Sequence, residues 1–518
     1  MAEVSLWPFL LMRVPAETLC WQKRESRIIG RRTSAVAGYR GEAFGLGWIN
    51  WPTKDKGKDR GMLPNELATA DRNYQIHSLH HPSDTQDTLM VASGHGIRIR
   101  DTEGRDYIDG LSGLWNVNVG HGRAEMAEAV AEQMKTLAYF SGYAGSATIP
   151  SIKLAERLIG LAPGMAAVFF TSGGAEANES AFKTARYYWR AQGKPGKVKI
   201  VSRIHGYHGV TLQAMSATGI SAYWKMFEPR VPGFLHIPTC YPYRFQGAHP
   251  DETPGAAAAR ELEEAILREG PGTVAAFIGE PIHGAGGVIY PTDDYWPKVR
   301  EICSRHNVLL IADEIITGFG RTGRWFGLHH WGVTPDIASF AKGVTSGYLP
   351  LGGILISRAI QQVLDSVEPA NRWMHGYTNS GHPACCAAAL RNIQIIEEEN
   401  LVENSRKMGE LLFRALQDTF ADHPNVGDIR GGKGLLAALE FVEERGSRKN
   451  FAVGRDFGNR LRKELRDRGV VTRTRSAAGE HPAPGDQVLF APPLIIREGD
   501  IEDLVASTRE AVEAAMRI

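Results

Sequence analysis

Between residues 125 and 345 the chain alternates two hydrophobic rhythms. Glu125 to Leu137 and Ile152 to Leu161 space their apolar residues three and four apart, which predicts amphipathic helices. Val168–Phe170, Val198–Val201, Val274–Ile278, Val308–Ala312 and Ile354–Ile356 are instead short, almost unbroken apolar runs. Such runs suit strands buried on both faces, because helices covering a parallel sheet leave neither side facing water. The alternation predicts an α/β domain with a mostly parallel central sheet flanked by helices. Ahead of it, Ile97-Arg-Ile-Arg, the turn sequence Asp101-Thr-Glu-Gly104 and Tyr107-Ile-Asp109 predict a β-hairpin. Beyond Pro383, a long helix from Ala384 to Glu399 leads into helices mixed with strands such as Leu435–Val442, a smaller α+β domain.

The expected division is a large domain over 121–383, a smaller one over 384–518, and a segment 62–120 that contributes to the smaller. Residues 1–61 stand apart. From Lys23 to Arg60 they are basic and carry no periodicity. Two readings fit them: an extension upstream of a natural start at Met62, or a poorly ordered tail.

A chain of 518 residues is long enough for more than one core. Its 59 basic and 58 acidic residues nearly cancel, so no field of one sign would draw it to nucleic acid or an anionic membrane. A small-molecule substrate is the better expectation. The five cysteines are scattered and none has C-x-x-C spacing, which excludes a disulfide framework or zinc site and predicts a reducing compartment, the cytoplasm. No stretch reaches the roughly 18 apolar residues that would span a bilayer. The apolar run Leu6–Met12 is short and lacks a basic segment before it, so it makes a poor signal peptide.

Three constellations carry chemistry. Thr171-Ser-Gly-Gly-Ala-Glu-Ala-Asn178 follows a predicted strand and opens a helix, and a glycine-rich turn there offers free N–H groups to an anion such as phosphate. Asp313 ends the buried run Val308–Ala312; a carboxylate so placed needs a partner, and a protonated pyridine nitrogen would supply one. Lys342, in Ser339-Phe-Ala-Lys-Gly-Val344, sits among small and apolar residues that would lower its pKa, as a Schiff-base lysine requires. Each has a plainer structural reading: a turn, a capping residue, a surface lysine. Gly318-Phe-Gly-Arg-Thr-Gly323 matches G-x-G-x-x-G, but no amphipathic helix follows, so a dinucleotide site is not expected. Asn178-Glu-Ser180 fits a glycosylation acceptor, though within a predicted helix.

Taken in order, these motifs resemble the class III aminotransferases of pyridoxal-5′-phosphate (PLP) fold type I, which include ω-amino acid, β-alanine–pyruvate and amine–pyruvate transaminases. The resemblance runs from about Pro64 to the C-terminus. It includes Gly113–Gly120, Gly206-Tyr-His-Gly209, Gly279–Gly287, Ala312–Gly323, Ala341-Lys-Gly343, Gly347–Gly352 and His375–Pro383. It implies PLP held as a Schiff base on Lys342, with Asp313 against the pyridine nitrogen. Gly174 and Ala175 match the phosphate cup, Tyr207 an aromatic lid over the ring, and Ile315 the residue on the opposite face. His208 falls among the cofactor-binding residues, and Glu280 matches the carboxylate that orders the site. Thr378 matches a residue that reaches the neighbouring subunit's phosphate, implying a homodimer with shared sites, or a tetramer. Trp115 and Ala285 match substrate-pocket positions, and Arg473, with Arg475 as the alternative, the arginine that grips a substrate carboxylate.

The chain also departs from its relatives. Ala175 stands where many have Ser, Ile316 stands where many have Gln, and an insertion follows Arg475. The implied reaction is ping-pong transfer of an amino group from an ω-amino acid or primary amine to a keto acid, pyruvate by analogy. An aminomutase, a decarboxylase or a non-catalytic PLP-binding protein on the same fold are the alternatives, since fold does not fix reaction.

Overall fold

The computed structural model describes residues 64–79, 81–85, 88–143, 145–476 and 484–517. Both readings of residues 1–61 therefore lie outside the described residues. The chain divides into two compact units, Met1–Tyr74 and Gln75–Ile518. Of the first, the helix Pro64–Tyr74 is described.

Among its described residues, the second unit holds fifteen strands in three sheets. Its first three strands are β1 (Val91–His95), β2 (Arg98–Asp101) and β3 (Asp106–Asp109). The central sheet is built from β4 (Met165–Thr171), β5 (Lys199–Arg203), β6 (Phe234–Ile237), β7 (Val274–Gly279), β8 (Leu309–Asp313), β9 (Ile337–Phe340) and β10 (Gly352–Ser357). The rest are β11 (Val426–Arg430), β12 (Ala437–Phe441), β13 (Val470–Val471), β14 (Arg473–Arg475) and β15 (Asp486–Phe490).

The central sheet runs β4-β10-β9-β8-β7-β5-β6, with β10 antiparallel to both its neighbours and every other pairing parallel. Every residue of β7 and β8 is buried, as their unbroken apolar runs require. Their faces alternate. Ala276, Ile278 and Ile311 pack with Ala177, Ala181, Phe182 and Ala185 of the helix Gly174–Ala191, while Phe277 and Leu310 belong to the core that holds Leu262, Trp296 and Val299. The alanines lie about one helical turn apart, so that helix can approach the sheet closely at its small-residue face.

The predicted hairpin is β2 and β3, antiparallel, with Gly104 at φ 85° in its turn. Val470 and Val471 join its edge in parallel with Ile108 and Asp109. The predicted helices 125–137, 152–161 and 384–399 appear as Ala124–Thr136, Ile149–Leu161 and Pro383–Glu398. Two central strands escaped the pattern. β6 is a four-residue, half-buried edge strand, and β9 is four residues long with Ser339 in its middle. Both are too short for periodicity to register.

What positions the site is the direction of the parallel strands. At or just beyond their carboxyl ends come Gly174 (after β4), Tyr207 and His208 (after β5), Glu280 (after β7), Asp313 (β8) and Lys342 (after β9). A crevice at that edge is where open α/β sheets bind ligands.

One contact in the core is testable. Gly409 lies in the helix Leu401–Phe420, and a methyl there would overlap the carbonyl of Gly434, itself at φ 65°. Alanine in a helix normally gains about 1 kcal/mol over glycine. Here overlap with backbone reverses the sign, and Gly409→Ala should destabilise by about 1–3 kcal/mol in equilibrium denaturation.

Candidate active site

Asp313 is 2% exposed. Its Oδ2 accepts a hydrogen bond from Asn178 Nδ2 and another from His208 Nδ1, both at 2.8 Å, and its Oδ1 accepts from the Ile315 amide at 3.2 Å. A carboxylate this deep is costly unless a cation or several donors compensate it. Among the described residues no lysine or arginine forms an ion pair with it; His208 is its one ionisable partner. The side chain is thus held from behind and lacks a permanent cation.

Lys342 follows β9 in a left-handed backbone conformation, φ 43°. Strain of this kind in a non-glycine residue collects where function holds it, at about 1–3 kcal/mol. The Asn392 side chain pins the turn by donating to the carbonyls of Gly343 and Val344, at 2.8 and 2.9 Å. Burial pushes the Lys342 amine down to about 8; the nearby Asp313 and Glu280 carboxylates oppose this, and Arg473 adds to it.

Glu280 is buried too, and burial pushes its carboxyl up. Its two oxygens accept from the Tyr207 amide at 3.0 Å and the Gly284 amide at 2.8 Å, tying the loop after β5 to the loop after β7. Arg203 donates to the Glu280 carbonyl at 2.5 Å and lies over the rings of Tyr295 and Trp296. Tyr207 is half-buried, its ring 5.6 Å from that of Tyr223. Burial pushes its phenol up to about 12, so it stays protonated at neutral pH.

The helix Gly174–Ala191 makes its first backbone bond from Ala177 to Gly173, which leaves the amides of its opening residues without helical partners. Glycine at 174 leaves room for Ile315, whose side-chain tip would come within 2.9 Å of a Cβ there. Ala175 is closed in by Gly209, at φ 122°, where a Cβ would come within 2.8 Å of the Ala175 methyl. This donor set suits one kind of ligand: a ring with an anionic group for the helix end, a protonatable nitrogen for Asp313, and an electrophilic carbon for the Lys342 amine. The chemistry of PLP fits it.

The remaining residues singled out in the sequence fall in several places. Ala285 is buried in the loop after Glu280, and Trp115 is 2% exposed, at φ 64°, among Leu111, Ile282, Val288 and Ile316. Arg473 is half-buried in β14, and its charge acts on both Lys342 and Tyr207. No hydrogen bond or ion pair engages its guanidinium among the described residues. Arg475 is buried and donates to the Gly286 carbonyl. Residues 477–483 of the insertion lie outside the described residues. Thr378 is exposed, and its carbonyl accepts from the Tyr139 hydroxyl at 2.8 Å.

Asn178 was missed as a site residue. Its side chain is fully buried against Asp313 and closed to glycosylation. The available signal was an amide on the apolar face of a predicted helix, which burial obliges to find a partner. The G-x-G-x-x-G match is structural, as expected: Arg321 within it is buried, donating to Ser112 Oγ at 3.0 Å and Asn118 Oδ1 at 2.8 Å.

Residues 80–512 match the family described as aminotransferase class III. A putrescine–pyruvate aminotransferase of Pseudomonas aeruginosa is 40% identical, over 82% of this chain and 90% of that protein. A thermostable (S)-enantioselective ω-transaminase from Thermomicrobium roseum, known as a crystal structure, is 44% identical with a TM-score of 0.83, over 88% of this chain and 99% of that one. The ω-transaminase of Pseudomonas jessenii, solved in complex with PMP, is 40% identical with a TM-score of 0.82, over 87% and 98%.

The depressed Lys342 amine has a measurable consequence. A lysine normally loses its proton near 10.5, whereas this one is half neutral at about 8. In cofactor-free protein, acylation of Lys342 followed by mass spectrometry should rise with pH through about 8. A rise only near 10.5 would contradict the buried, low-polarity setting of the amine.

Proposed function

The chain belongs to the class III aminotransferases, enzymes that transfer amino groups with pyridoxal 5′-phosphate, and from that premise we propose that it moves an amino group from an ω-amino acid or primary amine to pyruvate. The observation that carries this reading is the meeting of Lys342, Asp313, Glu280 and Arg473 at one edge of the sheet, with Arg473 unpaired among the described residues.

When bound, the cofactor supplies an electron sink for the pair released as a C–H bond at the donor carbon breaks. The residues do the rest. Gly174 and Ala175 would hold the phosphate at the helix end, while Tyr207 and Ile315 would bracket the ring. The Asp313 carboxylate would accept from the ring nitrogen. With the cofactor bound, the Lys342 amine, whose basicity burial lowers, would serve as the base that takes the proton from the donor carbon. Arg473 takes the keto acid's carboxylate, an ionic contact that a neutral amine donor does not use. Donor and acceptor occupy one site in turn, so the kinetics are ping-pong.

The reading includes a homodimer with shared sites, in which Thr378 reaches the partner's phosphate. Its support is an exposed apolar surface. Phe140 and Tyr143 are each 54% exposed and Met374 80%, near Thr378 and the Tyr139 that binds its carbonyl. A cytoplasmic setting fits the four buried free thiols of Cys240, Cys303, Cys385 and Cys386. No helix among the described residues is long and apolar enough to cross a membrane.

Two measurements test this. Holoenzyme given a primary amine alone should lose its visible cofactor band, then regain it with release of alanine when pyruvate is added; an unchanged band with every amine removes transamination from the reading. Arg473→Ala should raise the KM for pyruvate by about 10-fold to 100-fold, the range of a lost hydrogen bond to a charge, and leave turnover of a neutral amine within about twofold. Equal losses for both would remove Arg473 from carboxylate binding.

A further inference from the structure

The Asn178 side chain joins the start of the helix Gly174–Ala191 to the Asp313 carboxylate. It stands on the first turns of the helix Gly174–Ala191, four residues beyond Gly174, and its Nδ2 crosses to Asp313 Oδ2 at 2.8 Å. The same Nδ2 donates to the His208 carbonyl at 2.8 Å, while His208 Nδ1 meets the same Asp313 oxygen. One amide therefore fastens the helix, the loop after β5 and the carboxylate at the end of β8. Asp313 Oδ2 already accepts two bonds, so the oxygen left to meet a ligand is Oδ1, whose other donor is the Ile315 amide at 3.2 Å.

We infer that Asn178 is a positioning residue that sets the register between the phosphate-binding end of the helix and the Asp313 carboxylate. The inference rests on the cofactor placement given under the proposed function. The physical argument is that of a two-point ligand. A rigid molecule anchored at its phosphate and at its ring nitrogen gains from both anchors only if the protein holds them at the matching separation. The helix end and the strand end belong to different elements of the sheet layer, and the small residues Ala177 and Ala181 that pack this helix onto the sheet make no directional contact. The directional bond at this point is the amide of Asn178. Its fully buried position denies it water as an alternative partner. The bonds of Asn178 Nδ2 go to Asp313 and the His208 carbonyl, so it acts through them and the helix.

Register can be told apart from plain stability because it matters only to a ligand that uses both anchors. The experiment compares dissociation of pyridoxal 5′-phosphate with that of pyridoxal, which lacks the phosphate, in wild type, Asn178→Ala, Asn178→Ser and Asp313→Asn. A hydrogen bond to a charged group is worth about a tenfold change in affinity, so Asn178→Ala should weaken retention of the phosphorylated cofactor by about tenfold. Pyridoxal retention should change by about threefold or less, because His208 and the Ile315 amide still hold Asp313. The pH midpoint of the bound cofactor's visible band should also move, since Asp313 turns more freely. Asn178→Ser, smaller but still able to donate, should fall between, and it serves as the second variant if alanine fails to fold.

A parallel loss of both ligands with a fixed midpoint, or no loss of either, would overturn the inference. The Asp313→Asn arm separates this from a wrong cofactor placement. If that variant leaves the band unchanged, the placement itself fails; if it moves the band while the Asn178 variants do nothing, the register role alone fails.

Discussion

A carboxylate buried at the end of a strand is the constraint around which this molecule is organised. Asp313 is 2% exposed with no permanent cation against it among the described residues, and the structure manages that cost from behind with Asn178 and His208. Under the proposed function, the carboxylate held in this way would receive a cationic ring nitrogen. The desolvation that makes Asp313 costly alone is what makes its contact with such a ligand strong. Glu280 repeats the device one strand away, its charge satisfied by two backbone amides.

Around this constraint the parallel sheet does the positioning. Five strand ends deliver the glycine-rich helix start, Tyr207, two carboxylates and Lys342 to one edge. Close approach then depends on glycine at particular points, such as Gly209 against Ala175. A low lysine pKa does not by itself define such a site. Burial pushes Lys197 down to about 8 as well, but its amine donates to the Pro271 carbonyl and lies over the Trp189 ring, ahead of β5 rather than beyond a strand's carboxyl end. Position among charges separates the two.

Much of the fold was legible because buried strands and amphipathic helices leave strong periodic marks: β7 and β8 could be read from their apolar runs, and the helix Pro383–Glu398 within a residue or two. β6 and β9 were not, being four residues each, and β6 is only partly buried at the sheet edge. Lys342 and Asp313 could be singled out because charge next to an apolar run is a local anomaly. Asn178 could not, because its meaning lies in a contact with Asp313 across 135 positions of sequence. Nor could sequence spacing separate Arg473 from Arg475. Both lie in β14, two residues apart; one has its charge toward Lys342 while the other is spent on the Gly286 carbonyl.

The most direct test of the account is to find which lysine carries the cofactor. Reducing the holoenzyme with borohydride and sequencing its peptides by mass spectrometry should find the phosphopyridoxyl group on Lys342. Finding it on Lys197 or any other lysine, or on none, would contradict the claim that the strand-end cluster around Asp313 is where this aminotransferase does its chemistry.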